Sequence, residues 1–202
     1  MENLQIPETG REHDEILREM SAFAEGDADW RSGKTWSLVY SLGDAHTQFL
    51  KEAHGRFFSE NALNPLAFKS LKRFEAEVVR MAATMLNGDK NVVGTMTSGG
   101  TESCLLAVKT YRDLARAKRP WLRKPEVIAP ESIHIAFEKG AHYFGVKLVR
   151  IPVDDSFRMD LNVLRKKINR NTILIVGSAP CYPFGVVDPI EELGRIAQEK
   201  GL

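Results

Sequence analysis

The sequence predicts an α/β fold, a mostly parallel sheet with flanking helices, and three observations carry that reading. From residue 91 onward, short apolar strand signals alternate with longer helical ones, the pattern of successive βαβ units. The segments Val127-Ile128-Ala129 and Ile173-Leu174-Ile175-Val176 are continuously apolar, as strands covered on both faces are. Strand signals also run into turns rich in Gly, Ser and Pro, where open parallel sheets place their ligands.

Residues 1–35 read as a polar lead-in with one short helix over 12–24, broken by Gly26, Asp27, Asp29, Ser32 and Gly33. Trp36 to Tyr40 is a compact apolar segment before Gly43, and a second helix is expected over 45–58. Asn61-Ala62-Leu63-Asn64-Pro65 reads as a turn, because Asn and Pro favour one. The strongest helix signal covers 68–87. Leu71, Phe74, Val78, Met81 and Met85 recur every three or four residues, and Gly88 follows. That apolar face, methionines included, is expected to pack in the core. Strands are then expected at 91–94, 126–129, 146–151 and 172–176, separated by helices over 102–118, 136–144, 161–168 and 190–200. Gly201 after the last helix should hand the chain to a further strand, so the large domain is expected to be incomplete at Leu202.

Composition narrows the function classes. With 202 residues, 43% of them hydrophobic, the chain buries a sizeable core. The 28 basic and 27 acidic residues leave a net charge of +1, which gives no reason to expect nucleic acid or an anionic membrane as the main partner. The basic run Arg112, Arg116, Lys118, Arg119, Arg123, Lys124 reads as a solvated helix end. Cys104 and Cys181 are far apart, which suggests neither a disulfide framework nor a metal site, and a reduced cytoplasmic setting is the default. No apolar run approaches the roughly 20 residues of a membrane span, and Met1–Arg11 lacks a signal-peptide core.

The turn Gly94-Thr95-Met96-Thr97-Ser98-Gly99-Gly100-Thr101-Glu102-Ser103 joins a strand signal to a helix signal. Helix N-termini carry free N–H donors and partial positive charge, so such a turn suits a phosphate. It lacks the lysine of a P-loop, the first glycine of a nucleophile elbow and the spacing of a dinucleotide fingerprint. A purely structural turn with Thr101 as helix N-cap stays open. His134 lies just past the strand signal at 126–129, where its imidazole could stack on a planar cofactor; a capping or core histidine is the alternative. Ser178, in Gly177-Ser178-Ala179-Pro180-Cys181-Tyr182-Pro183-Phe184-Gly185, is placed to donate to a ligand or merely to shape a turn. No activating histidine stands beside Cys181 in the sequence, so it reads as a packed or loop thiol.

Taken together, Thr97–Ser103 with Ala107–Asp113, then His134–Gly145, then Pro183–Ile190, resemble the pyridoxal-phosphate (PLP) enzymes of the group II decarboxylase superfamily, within it the sphingosine-1-phosphate lyases. Phe74–Met81 shares the likeness, which covers roughly residues 35–202. The resemblance implies a fold-type-I PLP-dependent transferase-like domain, a homodimer with sites at the subunit interface, and retro-aldol cleavage of a phosphorylated long-chain base to an aldehyde and phosphoethanolamine. An amino-acid α-decarboxylase and a non-catalytic remnant of the fold are the alternatives. It implies that Gly100 and Thr101 hold the cofactor phosphate, that His134 stacks on the pyridine ring and that Ser178 offers a hydroxyl. Tyr40 and Asn64 fall on the substrate side; Asn64 stands where the lyases usually carry histidine, and an amide brings no positive charge to a phosphate. On this likeness residues 1–60 form an N-terminal segment with substrate-side and dimer elements, and 61–202 the first part of the PLP-binding large domain. The family's Schiff-base lysine and its pyridine-pairing aspartate have no matching motif in the 202 residues, and Lys109 and Lys139 sit in helical segments of another context. The chain alone is therefore expected to be inactive.

Overall fold

A computed structural model describes residues 5–64 and 66–202. Residues 1–4 and Pro65, the last residue of the expected Asn/Pro turn, lie outside the described residues. The chain divides into two compact units, up to Leu71 and from Lys72 onward. In the first, α1 (His13–Phe23) and α2 (Asp44–Arg56) fall where the sequence places them. Neither helix buries a residue. Arg11 binds Glu15 and Glu19 along α1, and Arg31 binds Asp44. Trp36 and Tyr40 are exposed, and 36–40 forms no regular element.

α3 (Lys69–Met85) forms as its periodicity predicts, but its apolar face does not pack in the core. Met81 and Met85 are 63% and 83% exposed, and Ala83 alone of the helix is buried. The helix instead turns its Val79–Ala83 side inward. A Cβ added at Gly94 would lie 3.1 Å from Val79 Cγ1, and one at Gly88 would lie 3.0 Å from the Ala83 carbonyl oxygen. The expected strand at 91–94 is also absent: Val93 is 89% exposed and these residues form no ladder. A lone strand leaves its N–H and C=O groups unpaired, and no described strand lies beside this one.

Beyond it come α4 (Gly100–Lys118), β1 (Glu126–Pro130), α5 (Ile135–Tyr143), β2 (Lys147–Ile151), α6 (Leu161–Lys167), β3 (Thr172–Ile175) and α7 (Ile190–Lys200). The strands form a parallel sheet in the order β2-β1-β3, with Val127 opposite Leu148 on one side and Leu174 on the other. Side chains alternate across β1. Val127 and Ala129 join Val108, Ala115, Ala141 and Ile173 in one cluster, while Ile128 joins Ile151, Met159, Leu164, Leu193 and Ile196 in another. Helices α4 and α5 thus contribute to the core on one face, and α6 and α7 to the core on the other. Among the described residues β3 pairs only with β1. Residues from β3, α4 and α7 line two hollows of about 520 and 330 Å³, the first reaching Ile173, Leu114 and Lys200 and the second Leu174, Val176 and Ala197.

Every residue of β1 is buried, and Ile128 is completely so. Truncation there leaves a cavity between sheet and helices, so Ile128→Ala should destabilise the protein by about 2–5 kcal/mol. The measurement is a lowered denaturant midpoint with an unchanged slope.

Candidate functional site

Parallel strands and helix direction together decide which loops meet. α5 starts just past the C-terminal end of β1. α4 lies against it and runs the same way: a Cβ at Gly140 would sit 3.2 Å from Val108 Cγ2 and 3.4 Å from Leu105 Cδ2. Further along, the Arg112 guanidinium lies 5.0 Å from the Phe144 ring centroid and Arg112 Nη1 donates to the Phe144 carbonyl at 3.4 Å. Both helix N-termini therefore open at the end of the sheet where β1 and β3 finish. A sulfur contact joins the two strand-end loops directly, Cys181 Sγ donating to the Ser132 carbonyl at 3.7 Å.

α4 starts two residues earlier than the sequence predicts. Its N-cap is Gly99, not Thr101, and no side chain caps it. The first bond back from the helix is Ser103 N–H to the Gly99 carbonyl at 3.1 Å. The N–H groups of Gly100, Thr101 and Glu102 find no acceptor among the described residues, as expected of a first helical turn. A Cβ at Gly99 or Gly100 would meet nothing within 4 Å, so the glycines leave the mouth of the turn clear. Thr97 Oγ1 donates to the Gly99 carbonyl at 3.1 Å and shares a 2.7 Å hydrogen bond with Ser103 Oγ. Two carboxylates tie the turn down. Glu102 Oε2 accepts Ser98 N–H at 2.6 Å, and Glu75 Oε1, from α3, accepts Met96 N–H at 2.9 Å and the Thr95 hydroxyl at 2.8 Å. The backbone N–H of Ser98 holds the Glu102 carboxyl below the usual range, and that of Met96, with the Thr95 hydroxyl, does the same for Glu75.

His134 is the N-cap of α5. Its Nδ1 accepts the Ala136 N–H at 3.1 Å, which assigns the neutral ring's proton to Nε2. His134 is exposed just past the C-terminal end of β1, so it caps the helix while remaining accessible. Ser178 is held by its backbone: its N–H donates to Asp188 Oδ2 at 2.7 Å, and its carbonyl accepts Asp188 N–H at 2.9 Å. Asp188 Oδ1 accepts Met159 N–H at 2.8 Å, so one buried carboxylate fixes this loop to the one after β2. A Cβ at Gly177 would lie 2.6 Å from Leu193 Cδ1 and 3.0 Å from Ile190 Cδ1, so those side-chain ends would have to shift to admit one. The Cys181 thiol is buried.

Gly100, Thr101, His134 and Ser178 thus lie at one end of the sheet. Tyr40 and Asn64 belong to the first unit, where Tyr40 is 91% exposed and Asn64 Oδ1 accepts Leu66 N–H at 3.0 Å. Sequence reasoning assigned no role to Glu75, Glu102 or Asp188. Glu75 looks like one acid among several on a polar helix face. Asp188, preceding a proline, gave only the signal of a turn.

The model of the pyridoxal-dependent decarboxylase conserved domain matches residues 40–202. The chain belongs to the pyridoxal-dependent decarboxylase family. The family's cofactor is pyridoxal 5'-phosphate. Among similar proteins, sphingosine-1-phosphate lyase 1 of Rattus norvegicus is 42% identical over 95% of the chain, and that of Arabidopsis thaliana, sphingosine-1-phosphate lyase, 45% over 93%. The chain spans about a third of their length, 34% and 36%. The structure of a Burkholderia pseudomallei sphingosine-1-phosphate lyase superposes with a TM-score of 0.91 at 37% identity, over 98% of this chain and 47% of that one. A Lactobacillus brevis glutamate decarboxylase shares the fold, with a TM-score of 0.81 at 18% identity over 100% of this chain and 47% of that one. Among the described residues no helix is long and apolar enough to cross a membrane, and no group of three or more His, Cys, Asp and Glu could hold a metal ion.

The Glu75 tether has a definite pH sense. Its carboxyl sits below the ordinary value of 4.5 when folded, so the tether contributes fully above that value and is lost as pH falls through the lower folded value. The Met96 amide should show one titration step in its NMR shift below pH 4.5. Glu75→Gln should abolish that step.

Proposed function

We propose that this chain supplies the cofactor-phosphate end of a PLP-dependent carbon–carbon lyase acting on a phosphorylated long-chain base. The observation that carries the reading is the identity of 42% and 45% to sphingosine-1-phosphate lyases across nearly the whole chain, against 18% to the glutamate decarboxylase that shares the fold.

The residues present fit the cofactor. Three unsatisfied N–H groups at the start of α4 suit a phosphate, and two glycines leave room for its approach. We assign Gly100 and Thr101 as its backbone donors. His134, held at Nδ1 by Ala136, turns an exposed imidazole to the same end and would stack on the pyridine ring. Ser178 keeps its backbone in two bonds to Asp188, leaving the hydroxyl for cofactor or substrate. When bound, PLP supplies the electron sink that makes carbon–carbon cleavage accessible. The chain's own residues hold its phosphate and orient its ring. The lysine that attaches it and the aspartate for its ring nitrogen match no motif in these 202 residues.

Tyr40 and Asn64 would meet the substrate phosphate. With Oδ1 engaged by Leu66, Asn64 has its amide NH₂ to offer, a neutral donor in place of a cation. A homodimer with interface sites is supported by the apolar side chains left in solvent, including Trp36, Phe49, Phe58 and the outer face of α3.

The intact enzyme, given a phosphorylated long-chain base, should release phosphoethanolamine and a fatty aldehyde. Carbon dioxide from amino acids with no phosphoethanolamine would make it a decarboxylase, and no turnover of either substrate would make it a remnant of the fold. His134→Asn tests the stacking role by itself, because Asn is a good N-cap and has no ring. It should weaken PLP retention about tenfold, the worth of an aromatic contact, and leave the apo-protein's melting temperature unchanged.

A further inference from the structure

Glu102 sits at the third position of α4, where a capping box places an acid that reaches back to the N-cap N–H. Here it reaches one residue further, to Ser98, at 2.6 Å. The N-cap is a glycine, so the reciprocal side-chain half of the box is absent. The turn is instead closed by Glu102 from one side and by the Thr97–Ser103 hydroxyl pair from the other. A carboxylate is a costly choice for a phosphate cradle. It brings negative charge to the place where the helix dipole and three free N–H groups would otherwise favour an incoming anion. A neutral amide oxygen would accept the same Ser98 N–H.

We propose that Glu102 is the positioning residue of the phosphate cradle, shaping the turn from Ser98 to Thr101 before the anion arrives, while its charge holds the cradle's affinity below what its shape allows. In the ligand-free chain the carboxylate engages Ser98 N–H and leaves the three helix-terminal N–H groups without an acceptor among the described residues. Shape and charge are contributed by one side chain, and they act on phosphate binding with opposite sign. The inference rests on the reading of this turn as a cofactor-phosphate site.

Two variants separate the contributions. Glu102→Gln keeps an acceptor for Ser98 and removes the charge. Glu102→Ala removes both. In the full-length protein freed of cofactor, Ser98 amide exchange should be alike in the wild type and the Gln variant and faster in the Ala variant. Inorganic phosphate and PLP, titrated by fluorescence or calorimetry, should bind the Gln variant about two- to fivefold tighter than the wild type, the range of one charge at a helix N-terminus. The Ala variant should bind several-fold weaker than the Gln variant. Unchanged Ser98 exchange in the Ala variant overturns the positioning role, whatever binds. Equal affinity of the Ala and Gln variants also overturns it, and weaker binding by the Gln variant overturns the opposing charge. If none of the three proteins binds phosphate or PLP, the cofactor reading and the charge half of the proposal fall, while the exchange result still decides the shape half.

Discussion

The structure depends on one constraint: β1 is a strand with no free side. Its faces are covered by two clusters of apolar side chains, and its edges are paired with β2 and β3. A strand in that position must be apolar throughout, and its parallel neighbours must be reached by helical crossovers. Those crossovers send each helix back along the sheet, so the loops after β1 and β3 emerge together. The start of α4 joins them because α4 runs beside α5, with Gly140 allowing the close approach. Three helix-terminal N–H groups, an imidazole and a hydroxyl share one end of the sheet because the buried strand Val127-Ile128-Ala129 sets the direction of the helices around it.

The same end shows a division of labour among acids. Glu75, Glu102 and Asp188 each accept backbone N–H groups and make no ion pair among the described residues. Each carboxylate accepts at least one loop N–H in a charge-assisted bond, and Asp188 accepts two, one on each oxygen. The N–H groups of Gly100, Thr101 and Glu102 stay without an acceptor among the described residues. Asp188 carries the heaviest desolvation cost, being buried, and it holds two separate stretches of chain in return, the Ser178 loop and the segment at Met159.

Much of this was legible in the sequence, and the exceptions share a cause. β1, β3, α4 and α7 declare themselves through local pattern: an unbroken apolar run, or spacing of three and four with a glycine after it. The 91–94 segment has a strand's composition yet forms none, because a strand is a relation between two segments and no composition reveals the missing partner. The α3 face misled in the same way. Phe74, Val78, Met81 and Met85 have the right period, but burial depends on what else is there to cover them, and Val79 and Ala83 took the inward side. Glu75 was invisible as a site residue because its bond to Met96 spans 21 positions. The start of α4 was off by two residues because glycine has no side chain to announce a cap.

One edge of β3 has no neighbouring strand among the described residues, and the two hollows of about 520 and 330 Å³ are lined in part by this strand. An uncovered parallel edge is a row of alternating donors and acceptors ready for any extended segment that passes. A strand added there in parallel would find four residues to pair with, so the ladder it could form is short.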